Sequence, residues 1–210
     1  MNLRYTVLKA LRPLRNVLSL AFSSNGRVRI AWYACGWGLC YSAYRAYYAV
    51  GGTFALPGRV IDQGVFQEIN AIGAGILLLG AVLPVATLSL WDRPVFRPLL
   101  IAMCWIVAVG CVMHGLIDGS ERILSLTGHL DIAYPSGIWV ADRPGADIQD
   151  LLLNEPWFLV EGVLFGTLAY GALGVRARGR WVVSSVLAIA VLVCFGLLAA
   201  FGVTGRFIIG

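Results

Sequence analysis

The stretch Asn154-Glu155-Pro156-Trp157-Phe158-Leu159-Val160-Glu161-Gly162-Val163-Leu164-Phe165-Gly166 reads as the entry of a membrane-spanning helix. Asn154 suits a cap, Pro156 fits a first turn, Trp157 suits a lipid–water boundary, and the apolar run continues to Leu173. Inside that run lies Glu161, roughly one and a half turns below the boundary by helix geometry. An ionisable group at that depth is expensive and marks a candidate functional residue. The reading of the chain therefore turns on what Glu161 faces.

Composition sets the medium. Of 210 residues, 59% are hydrophobic and 13% charged, and the mean hydropathy is +0.80. Soluble domains carry about a quarter charged residues. Here the charges cluster between long apolar runs, which describes a polytopic membrane protein. The net charge of +5 comes from fifteen arginines and one lysine against eleven acids. Because those bases flank apolar runs and form no single solvated face, the basicity argues against nucleic acid and for membrane lipids as partners. The five cysteines (Cys35, Cys40, Cys104, Cys111, Cys194) all fall within apolar runs without metal-ligand spacing, as small buried residues do. Cys104 and Cys111 share a helical face but are separated by about 10 Å of rise, too far for a disulfide.

Residues 1–27 place Arg4, Lys9, Arg12, Arg15 and Arg27 among leucines and valines at helical spacing, as in a basic amphipathic helix on an anionic membrane surface. Spans are expected at about Ile30–Val50, Phe66–Leu90, Pro98–Ile117, Trp157–Val175 and Trp181–Val203. The expected fold is all-α: a bundle of about five transmembrane helices over 28–210, preceded by the interfacial helix. One long acidic loop, about 118–155, exceeds the usual connection length and suits a lid or binding role. Within it Ile123–Leu126 can extend the third helix, Tyr134–Gly137 is a turn, and Asp147–Leu153 reads as a short amphipathic surface helix. Eleven of the sixteen basic residues fall on alternate connections, which by the positive-inside rule sets the N-terminus cytoplasmic and the C-terminus extracytoplasmic in a plasma membrane.

That orientation brings polar groups from four spans to the outer leaflet: Arg45, Glu68 with Asn70, His114 with Asp118, and Glu161. The physical expectation is a polar pocket open to the outer face, with Arg45 ion-paired to Glu68 or Glu161. One alternative is that Arg45 snorkels to the headgroups; another is that Glu68, Asp118 and Glu155 are solvated residues at helix ends and only Arg45 and Glu161 pair, as a structural staple. His114 and His129 are the only histidines, and His129 sits in a loop remote from any cysteine. Haem and zinc are accordingly disfavoured, and no metal or cofactor is expected.

Arg45-Ala46-Tyr47-Tyr48-Ala49-Val50-Gly51-Gly52-Thr53 resembles the Y-W-A-x-G-G-T region of a family of small bacterial multi-pass membrane proteins catalogued as a domain of unknown function. Tyr48 stands where that family has Trp. Asn154-Glu155-Pro156-Trp157-Phe158 is similar to its later P-W-F span entry, and His114-Gly115-Leu116-Ile117-Asp118 to its third span. The resemblance covers most of residues 30–175 and implies a bacterial membrane protein without implying an activity. A second resemblance, of site and not of linear motif, is to emopamil-binding and related membrane isomerase or cyclase folds. It implies acid catalysis on a sterol or isoprenoid.

Three function classes follow. The first is a lipid-binding or accessory membrane protein. The second is an enzyme acting on a lipid or isoprenoid, with Glu161 or Asp118 as general acid, His114 as proton relay and the rings of Trp37, Tyr41 and Tyr44 stabilising positive charge. In either case Arg45, Glu68, Asn70, Tyr41, Tyr44 and Trp157 would line the ligand. The third is a small transporter, which the apolar inner halves of the spans disfavour.

Overall fold

Long helices cross in alternating directions through a computed structural model that describes residues 24–132 and 137–203. They are α1 (Ser24–Ala49), α2 (Gln63–Ala86), α3 (Arg97–Leu126), a continuous helix Arg143–Ala172, and α6 (Val175–Ala200). The continuous helix consists of α4 (Arg143–Gln149), a π-helical segment (Asp150–Asn154) and α5 (Glu155–Ala172). All but α1 are long and apolar enough to cross a membrane. α1 has the length, at 26 residues, but carries Arg27, Arg29, Arg45 and a run of tyrosines. It packs along α2 and against α5 all the same. The expected all-α helical membrane bundle is the fold observed. Residues 1–23, which hold most of the expected interfacial helix, lie outside the described residues, as do 133–136 in the expected turn and 204–210. Ser24 to Arg27 belong to α1.

The helices meet through small residues, as expected where lipid tails offer no hydrophobic drive between helices. Between α1 and α2, Ala31, Ala34, Ala74 and Ala81 are buried, Ser42 Oγ donates to the Ala74 carbonyl at 2.9 Å, and a methyl on Gly38 would lie 2.8 Å from Ala81 Cβ. Between α3 and α5, a methyl on Gly162 would lie 2.7 Å from Val112 Cγ2 and 3.0 Å from the Ala108 carbonyl oxygen. A core of Leu100, Cys104, Ala108, Phe165, Leu168 and Ala169 joins these two helices and reaches Ile30 and Ala31 on α1. α6 lies against α3 and exposes Val183, Leu187, Val191 and Phe195, one face at four-residue spacing that a bilayer would cover.

One end of the bundle is basic. Arg27 pairs with Asp92 at 3.2 Å and lies 5.8 Å from the centre of the Trp91 ring. Arg97 donates to the Ala172 carbonyl and Arg178 to that of Leu173 at 3.1 Å, satisfying carbonyls at the C-terminal end of α5 where cations are favoured. At the opposite end two loops are stapled by a feature that the sequence pattern does not reveal. β1 (Gly58–Val60) pairs antiparallel with β2 (Trp139–Ala141), Gly58 opposite Ala141. Gly58 has φ +133°, and a side chain there would lie 2.2 Å from the Val140 carbonyl oxygen.

The expected boundaries of the long loop need correction. α3 runs on to Leu126 and helix resumes at Arg143, so the irregular connection is much shorter than 118–155. Polar residues ended the hydropathy windows, but the backbone hydrogen bonds continue past them. Asn154 caps nothing: it has helical dihedrals (φ −71°, ψ −47°) and no capping bond. The expected surface helix and fourth span are one helix. Pro156 lacks an N–H and its ring crowds the carbonyl four residues earlier, which would break a uniform α-helix. Just upstream the helix widens to i→i+5 spacing, with the Glu155 N–H bonded to the Asp150 carbonyl. The π-helical turn lets the chain pass the proline without a break.

Candidate functional site

His114, Asp118, Arg122 and Ser125 recur on α3 at near-helical spacing and so form a stripe along its C-terminal half. His114 Nδ1 lies 3.3 Å from Asp118 Oδ2, with side chains 39% and 29% exposed. The His114 ring meets Phe158 edge-on, the ring centres 4.2 Å apart, which fixes its orientation. Across from this pair α5 contributes Glu155. It is 4% exposed, and its Oε2 is buried without a hydrogen-bond partner. One ring nitrogen of His114 and one carboxylate oxygen each from Asp118 and Glu155 all lie within 4.8 Å of one another.

Above this trio the stripe is locked to α4 and the π-helical turn. Arg122 Nε lies 3.0 Å from Asp150 Oδ2 and Arg122 Nη1 3.5 Å from Asp147 Oδ1. Ser125 Oγ donates to Asp147 Oδ2 at 2.6 Å. Asp147 is 1% exposed, so its charge is held by these partners and not by water. Asp150 also accepts from Asn154 Nδ2 at 2.5 Å, and Asn154 Oδ1 accepts from the Tyr41 hydroxyl at 3.2 Å. A polar chain thus runs from α3 through the π-helical turn to α1.

On its α1 side the site has an aromatic wall. Trp157 stacks on Trp37 at 4.2 Å and on Tyr41 at 5.2 Å, and its carbonyl accepts from Trp37 Nε1 at 3.0 Å. Tyr44 contacts Tyr48 and its hydroxyl accepts from Gln149 Nε2 at 2.9 Å. The indole of Trp157, expected at a lipid–water boundary, packs against α1.

The site residues expected from the sequence divide into groups. His114 and Asp118 come together, joined by Glu155. Tyr41, Tyr44 and Trp157 form the adjoining wall. Arg45 is not ion-paired to Glu68 or Glu161. Its Nη1 donates to Asn70 Oδ1 at 3.1 Å and its guanidinium lies 5.7 Å from the centre of the Tyr41 ring. Asn70 is 3% exposed and is oriented by its own bond to the Phe66 carbonyl at 2.8 Å, so a neutral amide and a ring face take the place of a carboxylate. Glu68 is exposed on α2 and joins no ion pair among the described residues. Glu161 is 5% exposed and about 9 Å along α5 from Glu155. Its Oε1 faces Gly80 of α2, where an added methyl would lie 3.9 Å away. No hydrogen bond or ion pair reaches it among the described residues, so the helix rise keeps it from His114 and Asp118.

An open depression of about 680 Å³ lies further out, bounded by Ser125, His129, Asp131, Arg143 and Asp147. It contains none of the residues expected to line an outward-facing pocket. Sequence reasoning placed Arg122 in the long acidic loop and Asp147 and Asp150 in a surface helix within it, and assigned none of them to the site. The signal for Arg122 was present in the four-residue spacing from His114 and Asp118.

Comparison with protein-family models, with curated proteins and with solved structures found no match.

Proposed function

We propose that the chain is a multi-pass plasma-membrane protein that binds a membrane amphiphile, a lipid or an isoprenoid, by its polar end at the His114–Asp118–Glu155 centre. The observation that carries this reading is the Glu155 oxygen, buried without a partner beside a half-exposed imidazole. Buried polar atoms are nearly always bonded; of the six buried side-chain atoms without a hydrogen bond among the described residues, Glu155 Oε2 is the one carboxylate oxygen, and a ligand would explain it. The aromatic wall of Trp37, Tyr41 and Trp157 offers flat, rigid faces next to that polar group. The resemblance to small bacterial membrane proteins of unknown function agrees with this setting.

The cytoplasmic side is assigned to the basic end, which places the N-terminus inside, the C-terminus outside and the centre toward the outer leaflet. Cysteines placed at Val140 and Arg178 in a cysteine-free background test that assignment. An impermeant reagent applied to whole cells should label only the first, and the reverse pattern overturns it.

A second reading, an enzyme acting on the same amphiphile, is favoured by one observation: the His114–Asp118 contact sets an imidazole and two carboxylates around one point. Such a set can donate and accept protons. The test of the main reading is to extract the purified protein with organic solvent and identify retained lipids by mass spectrometry. Wild type should retain a defined amphiphile, and Glu155→Gln should lose it while unfolding at an unchanged temperature. Identical lipid content in the two proteins refutes it.

A further inference from the structure

We propose that His114, Asp118 and Glu155 bind one divalent transition-metal ion of the zinc class, with at least one coordination position left open. The donor geometry is close to what such an ion requires. Metal–nitrogen and metal–oxygen bonds of about 2.0–2.2 Å place neighbouring donors about 3–3.5 Å apart in a tetrahedral or octahedral shell. His114 Nδ1 and Asp118 Oδ2 stand at 3.3 Å, and one carboxylate oxygen of Glu155 lies within 4.8 Å of a ring nitrogen of His114 and a carboxylate oxygen of Asp118. Rotation of the carboxylate about its own side-chain bonds covers that difference.

An independent observation points the same way. Glu155 is 4% exposed with a buried oxygen that no donor reaches, and a cation in front of that oxygen would supply the missing partner. The charge balance reinforces this. The charged groups that act on Glu155 are the carboxylates of Asp118, Asp150 and Glu121, against the single guanidinium of Arg122. Arg122 is itself shared with Asp147 and Asp150. A divalent ion would offset these carboxylates.

The chemistry of the set selects the ion. One imidazole excludes a site built for calcium or magnesium, which take oxygen donors in larger number or keep most of their water. The absence of a thiolate from the trio disfavours soft monovalent copper. One nitrogen and two carboxylate oxygens suit zinc, with manganese or ferrous iron as near competitors. Three protein donors with an open position are the pattern of reactive rather than structural zinc sites. The His114 side chain is 39% exposed, so an open position beside it would be reachable from outside the bundle. An oxygen of water, or of the head of a bound amphiphile, would fill it. The edge contact of Phe158 and the helical spacing of His114 and Asp118 hold two donors in place before any ion arrives. Histidines and cysteines alone argue against a metal, since His129, the one other histidine, lies remote from His114 and from any cysteine in the sequence. The carboxylate from α5 changes the count.

This inference rests on the same centre as the lipid reading, but ion and lipid can be scored separately. The full chain, purified in detergent without histidine tag, is stripped with a chelator, dialysed and titrated with zinc, with metal content read by mass spectrometry. Cobalt substitution then reports the coordination by its visible absorption. Wild type should bind one zinc per chain. Glu155→Gln and His114→Ala should each weaken binding by at least about 10-fold, as changes at metal sites do. His129→Ala should leave it unchanged. The thermal unfolding of each variant, measured without metal, confirms that it is folded. A stripped wild type that takes up no stoichiometric zinc, manganese or ferrous iron overturns the proposal. So does uptake that survives Glu155→Gln and His114→Ala, or that disappears with His129→Ala. Lipid retained by a protein that binds no metal overturns the metal site alone, and metal bound by a protein that retains no lipid overturns the lipid reading alone.

Discussion

Replacing Arg122 with leucine should be among the most destabilising single changes in the described structure. Arg122 contacts Asp147 at 3.5 Å and Asp150 at 3.0 Å, and the side chains are 16%, 2% and 21% exposed respectively. At an effective dielectric of about 20 each contact represents roughly 5 kcal/mol of gross attraction, most of it offset by desolvation of the charges. Removing one partner forfeits the attraction but leaves the desolvation, and the net cost for a buried pair is about 3–5 kcal/mol. Asp147 would lose its Arg122 contact and keep its bond from Ser125 Oγ. For a chain of this size the cost corresponds to a fall of about 6–20 °C in unfolding temperature. The assay is tryptophan fluorescence during heating of the detergent-purified protein. Arg122→Leu combined with Asp147→Leu should recover much of the loss, because neither buried charge is then orphaned and Asp150 retains access to water. An Arg122→Leu protein that unfolds within about 2 °C of wild type refutes the reasoning. A double variant less stable than the sum of the two single changes refutes it as well.

Other consequences follow from the packing. Gly162→Leu should cost about 1–3 kcal/mol or more by forcing α3 and α5 apart, while Gly36→Leu, where an added methyl meets nothing within 4 Å, should be nearly neutral in the same melting assay. Gly58→Ala should break the β1–β2 staple, since both φ and the Val140 carbonyl forbid a side chain. Limited proteolysis should then cut between residues 127 and 142 at least several-fold faster, with the helices intact by circular dichroism. Asn70→Leu removes the acceptor of Arg45 and should cost about 1–3 kcal/mol, whereas Asn70→Asp keeps that acceptor but loses the donor to the Phe66 carbonyl, and should cost less than Asn70→Leu.

The helical membrane fold was legible because apolar runs of bilayer length have few alternatives. The ends of those runs were not. Hydropathy stops at Asp118 and starts again at Trp157, yet α3 continues to Leu126 and the next helix begins at Arg143, because helical hydrogen bonds do not depend on side-chain polarity. Glu155 therefore looked like a solvated end residue, when it is buried in the middle of a helix. Glu161 attracted attention as the deeper carboxylate, but depth alone does not determine which neighbours a residue meets. Arg45 shows a different limit. A search for opposite charges passes over Asn70, which sits at the right height and supplies an oxygen. Three-residue strands such as β1 and β2 carry too little periodicity to read, and their pairing spans some eighty residues of sequence.

The π-helical turn at Asp150–Asn154 has a consequence for how this chain can change. An extra residue in a helix rotates everything beyond it by about 100° relative to what lies before. The turn therefore acts as a phase setting between two faces: Asp147 and Asp150, which engage Arg122, and Glu155 and Glu161, which face the interior. Deleting one residue there would leave the hydropathy profile and helix length almost untouched. It would nevertheless turn one set of carboxylates away from its partners. The composition of this segment is thus freer to drift than its length, and a homologue with one residue fewer at this turn would keep the bundle while presenting a different centre.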